Sequence, residues 1–125
     1  MAFDKVNLPS LPLVERTAHG GVGSIRMVRV AERGELAGGC NFVDYAVVPP
    51  GASIGEHRHA SDEEELYLVL SGTALMSRGS ELIPVRAGDL VRNPPGELHG
   101  LVNQGSEDVE LFVFELEVRR CEPPP

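Results

Sequence analysis

Interruption is the rule in this sequence: its apolar segments are short, and glycine, proline or a polar pair breaks them about every 8 to 12 residues. No window of about a dozen residues keeps a helical period, so the expected fold class is all-β, a sandwich or barrel. The candidate strands are Ser24–Val30, Phe42–Val48, Ser53–His59, Leu66–Leu70, Thr73–Ser77, Leu82–Arg86, Leu90–Asn93, Leu101–Asn103 and Val109–Glu117. Between them, Pro49-Pro50-Gly51 cannot continue a ladder, because two successive residues lack the amide donor. Arg78-Gly79-Ser80-Glu81 reads as a hairpin turn. A chain of 125 residues, 42% hydrophobic, has material for one core and one domain. That domain spans residues 24–118, preceded by an extended proline- and glycine-rich arm over 1–23 and followed by a tail over 119–125.

The net charge of −8 repels phosphate backbones and anionic lipid, so neither nucleic acid nor a membrane is an expected partner, and a small molecule is. Cys40 and Cys121 lie far apart with no CxxC spacing and read as free thiols in a reducing compartment. The N-terminal MAFDKVNLPSLPL lacks the apolar core of a leader, and no run approaches the roughly 20 apolar residues of a membrane span. The expected location is cytoplasmic.

Three of the four histidines fall in two glycine-framed stretches. The first, from Gly51 to Gly72, reads G-x5-HxH-x5-E-x6-G and carries His57, His59 and Glu65. The second, GDLVRNPPGELHGLVN from Gly88 to Asn103, reads G-x5-PxG-xx-H-x3-N and carries His99. On a strand side chains alternate faces, so His57 and His59 point the same way and can reach one point in a barrel interior. Three imidazoles and one carboxylate form a mixed nitrogen and oxygen set suited to iron, manganese, nickel, copper, cobalt or zinc. One divalent transition-metal ion is therefore expected on His57, His59, Glu65 and His99. Glu64 is the alternative carboxylate: counting forward from His59 can select it, whereas counting back from Gly72 selects Glu65. The stretch back from Gly72 is strand, which cannot slip by one residue without turning its side chains to the other face, and this favours Glu65.

The two motifs closely resemble those of the cupin superfamily over roughly residues 40–116. Gly88, Pro94, Gly96, His99 and Asn103 match every fixed position of the second motif. The first departs once, with five residues rather than three or four between His59 and the glutamate. The resemblance implies a single-domain jelly-roll β-barrel with a metal site. It leaves the reaction open between a dioxygenase of the quercetinase kind, which we favour, a metal-assisted isomerase or polyketide-type cyclase, and a non-catalytic small-molecule binding module.

Glu65 and Tyr67 are the candidates for moving a proton. Tyr67, Tyr45, Met27, Phe42, Phe112 and Phe114 are candidates to line the cavity, and Arg26, Arg58 and Arg92 to anchor a substrate. Gly51, Gly72, Gly88, Gly96 and Pro94 read as turn residues, and Asn103 as a backbone hydrogen-bonding residue. His19 lies outside both motifs and is expected to be a solvent-exposed loop residue without a part in the site. The apolar residues of the arm suggest a homodimer in which the arm or first strand packs across the partner.

Overall fold

A computed structural model describes residues 3–118, and the tail and Cys121 lie outside them. Ten strands account for the fold: β1 (Val14–Arg16), β2 (Ile25–Glu32), β3 (Cys40–Val48), β4 (Ser53–Arg58), β5 (Glu63–Ser71), β6 (Thr73–Arg78), β7 (Glu81–Arg86), β8 (Leu90–Asn93), β9 (Leu98–Val102) and β10 (Val109–Glu117). A 3-10 turn at Leu8–Ser10 is the one helical piece among the described residues. The strands form two antiparallel sheets, ordered β1-β2-β3-β10-β5-β8 and β4-β9-β6-β7, in the jelly-roll arrangement expected from the motifs.

The core lies between the sheets and follows from strand alternation. Along β10, Val109, Leu111 and Val113 are buried while Glu110, Phe112 and Phe114 are only partly so. Val48, Val69, Met76, Val109 and Leu111 are almost wholly out of solvent, at about 1.5–3 kcal/mol of hydrophobic stabilisation per large side chain. Asn103 behaves as a turn residue: its Nδ2 donates to the carbonyls of Val48 and Glu107, and its Oδ1 accepts from the Gly105 amide.

Three strands depart most from the sequence reading. β9 begins at Leu98, because the polar stretch holding His99 pairs on one side with β4 and on the other with β6. β5 begins at Glu63, since its charged start is clamped between β10 and β8. The arm contributes β1, whose three residues pair with β2 of the same chain. No helix of the described residues is long and apolar enough to cross a membrane.

Candidate metal centre

Register places the site. His57 on β4 lies directly opposite His99 on β9, and Glu65 on β5 lies opposite Glu115 on β10 and Asn93 on β8. His59 falls just past the end of β4, yet keeps the alternation that turns it inward with His57. One ligand atom from each of His57, His59, Glu65 and His99 falls within 4.8 Å of all the others. Glu65 and His99 are buried, at 3% and 1% exposure.

Each imidazole is oriented through Nδ1. In His57, Nδ1 lies 2.8 Å from the Gly55 carbonyl; in His99 it lies 3.3 Å from that of Glu97; in His59 it lies 2.6 Å from Glu115 Oε1. An N–H donated there leaves Nε2 bare and turned inward, the tautomer a metal-binding histidine needs. Nε2 of His99 sits 2.9 Å from Glu65 Oε1, and Nε2 of His59 sits 3.1 Å from Glu65 Oε2. Apart from this contact with Glu65, the buried His59 Nε2 has no partner among the described residues. Three inward lone pairs around a carboxylate repel one another unless a cation lies among them. A divalent transition-metal ion fits this donor set.

The electrostatics agree with burial and pairing. Without a cation, protons on Nε2 of His59 and His99 take its place: burial pushes the Glu65 carboxyl up, but hydrogen bonds from these two histidines outweigh it and hold it at about 2. Burial lowers His57 to about 4. His59 is raised by its hydrogen bond to Glu65. Glu115 is pushed up to about 7 by burial and by Glu63 beside it, while Asn41 Nδ2 donates to its Oε2 at 2.9 Å. Burial and the Glu65 carboxylate keep the Tyr67 phenol well above its ordinary value, and its ring meets His99 edge-on at 5.8 Å.

Above the cluster is a cavity of about 280 Å³ whose wall includes Met27, Phe42, Tyr67 and Ile54. A cavity of this size suits a small ligand. Tyr45, Phe112 and Phe114 are not among its lining residues. Tyr45 pairs with Phe112 across β3 and β10 and donates its hydroxyl to Glu110, while the Phe112 and Phe114 rings pack against each other.

The arginines proposed as anchors also lie elsewhere. Arg26 faces Asp108, Arg58 donates to the Gly96 carbonyl, and Arg92 pairs with Glu64. The cavity's cations are instead Arg16 and Arg29, and Arg29 is already held by Asp44 through bonds of 2.8 and 3.1 Å.

Two residues of the site had gone unassigned. Glu115 was legible as the first charge on the face of β10 that buries Val109, Leu111 and Val113. His19 is solvent-accessible, as the sequence suggests, but it is not remote: its ring stacks on that of His57, with centroids 3.6 Å apart and planes 9° from parallel. It lines the cavity. The only sequence cue was a histidine set directly before two glycines.

Two sheets enclosing an inward cluster of three histidines and a glutamate define a small barrel protein with a metal-competent interior. The chain belongs to the cupin family, whose cupin domain matches residues 44–115. It is 30% identical, over 93 residues, to an oxalate-binding protein of Thermotoga maritima, covering 74% of this chain and 76% of that one. Among solved structures it resembles a predicted oxalate decarboxylase from Thermotoga maritima, with a TM-score of 0.86 at 24% identity over 91% of this chain and 99% of that one. A Cupin 2 conserved barrel domain protein from Salinispora arenicola gives a TM-score of 0.72 at 26% identity, covering 94% of this chain and 91% of the other.

Proposed function

We propose that this cupin holds one divalent transition-metal ion on His57, His59, Glu65 and His99, and that a small organic acid of the oxalate class binds above it. The observation that carries this reading is the convergence of three inward imidazole nitrogens and a carboxylate beneath a cavity that also presents Arg16. The similarity to an oxalate-binding protein supports the choice of an acid. Bound there, such an ion supplies Lewis acidity to an oxygen ligand and, if redox active, electrons for dioxygen chemistry.

The chain's own residues supply the rest. Glu65 balances cationic charge and, through the pairing of β5 with β8 and β10, keeps its carboxylate fixed. Tyr67, a neutral phenol on the cavity wall, is the proposed hydrogen-bond donor to an oxygen of the bound acid. The apolar wall of Met27, Phe42 and Ile54 limits water around it. The proposed compartment is the reducing cytoplasm, in keeping with Cys40 as a free thiol.

Elemental analysis of protein purified without added metal, with calorimetric titration of oxalate, tests this reading. Metal-loaded protein is expected to bind oxalate and chelator-stripped protein is not. Equal binding by both would refute it. Metal exchange then separates the chemistries: the dioxygenase requires a redox ion and dioxygen, an isomerase or cyclase keeps turning over as the anaerobic zinc form, and a binding module turns over in neither.

A further inference from the structure

We propose that His19, delivered by the N-terminal arm, is a ligand-binding residue of the cavity that hydrogen-bonds the acid from beside the metal donors, with Arg16 as the charge partner. This rests on the reading of the cavity as an organic-acid site. Three observations support it independently of the two sequence motifs.

First, the arm is built into the barrel at this point. Ala18 makes a parallel bridge to Ile54, its carbonyl accepts from the Gly55 amide at 2.9 Å, and the Val22 carbonyl accepts from the Ser53 amide at 2.9 Å. The approach is so close that a Cβ added to Gly55 would collide with the His19 carbonyl, so glycine is required there. Arm and β4 are joined by main chain, and the His19 ring is carried to the cavity wall as a result.

Second, His19 has φ of 50°, the one positive value at a residue other than glycine among the described residues. A glycine would adopt this conformation freely, and glycines occupy the next two positions. A side chain kept at a conformation that favours glycine points to a role for that side chain.

Third, the ring lies flat on His57 at 3.6 Å and lines the same cavity as Arg16 and Tyr67. Stacking fixes the plane of the imidazole, so that its ring nitrogens lie at the edge of the stack. Arg16 makes no ion pair with the described acidic residues, unlike Arg29, which Asp44 holds. An anion above the cluster thus meets an arginine free to pair with it and a histidine of fixed orientation, both from the arm.

The test compares wild type with His19→Ala and His19→Asn, asparagine being a residue that tolerates positive φ. Cobalt(II) is loaded into each, its content is measured by elemental analysis, and oxalate and malonate are titrated by calorimetry and by the visible spectrum of the cobalt. The expected result is unchanged cobalt content and circular dichroism, with affinity for the preferred acid weakened about tenfold or more in His19→Ala, as befits loss of a hydrogen bond to a charged group. Arg16→Gln is expected to weaken it as well. Wild type that loads cobalt and binds acid, with both His19 variants binding within twofold of it, overturns this inference alone. Loss of cobalt from both variants would make His19 part of the metal's support instead and also overturns it. Wild type that loads no cobalt, or loads it and binds neither acid, removes the proposed function and this inference with it.

Discussion

Glu64 and Glu65 are neighbours with opposite fates. Glu65 turns inward between His59 and His99, whereas Glu64 turns out and pairs with Arg92 at the surface. A pair so exposed is worth little, about 0–1 kcal/mol. Glu65→Gln is therefore expected to reduce bound metal at equilibrium dialysis by tenfold or more, and Glu64→Gln to leave it within twofold of wild type. The reverse order would place the carboxylate donor on the wrong neighbour. Glu115 is a second position where one atom matters, because its Oε1 lies against His59 Nδ1 and Asn41 secures its other oxygen. Loss of such support behind a metal-binding histidine lowers metal affinity about 10- to 100-fold, the range expected for Glu115→Gln by the same dialysis.

Strand β5 explains why residue spacing carried the choice between the two acids. Glu65, Tyr67 and Val69 are buried and alternate with less buried Leu66, Leu68 and Leu70, so one inserted residue within the strand would turn Glu65 outward. An alanine inserted after Leu66 has its effect on the far side of Glu65 and breaks the match to Gly72, while one inserted after Ala60 lengthens a loop. The first is expected to lower the melting temperature by many degrees and abolish metal retention; the second is expected to keep the melting temperature within a few degrees. Calorimetric melts with elemental analysis decide it. The same element scale shows what was legible. Alternation and breakers revealed β3, β8 and β10 closely, since their ends coincide with turn residues. The starts of β5 and β9 were hidden by charged and polar residues that only pairing with neighbouring strands holds extended. His19 was hidden for a related reason: its place depends on a main-chain bridge from Ala18 to Ile54, and no local pattern in the arm encodes a contact of that range.

For the molecule as a whole, the buried cluster sets a dependence on acid. An ordinary glutamate has its pKa at 4.5, and Glu65 in the fold at about 2, so the unfolded chain takes up this proton first. Its contribution to stability is complete above about pH 4.5 and is lost as pH falls through about 2. Buried His57, lowered from 6.5 to about 4, acts in the same direction at higher pH, while His59 and Glu115, both raised, act with the opposite sign nearer neutrality. Below about pH 4.5 His57 and the lowered Glu63 still contribute, so it is the difference between proteins that reads Glu65: metal-free wild type is expected to lose melting temperature there more steeply than Glu65→Gln, and equal slopes would refute the assignment. The homodimer expected from the sequence is a separate proposal. The described arm pairs β1 with β2 of its own chain, leaving β1 at the edge of its sheet with Val14 exposed. Light scattering is expected to give twice 13.5 kDa, and a mass of 13.5 kDa would refute association. The way the arm is fastened also bears on inheritance. Its grip on β4 runs largely through the main chain, by the carbonyls of Ala18 and Val22, which every amino acid supplies, whereas the basic groups it brings to the cavity are the side chains of Arg16 and His19. On the proposed reading, exchanging those two side chains would change the guest while the donors at 57, 59, 65 and 99 stay as they are.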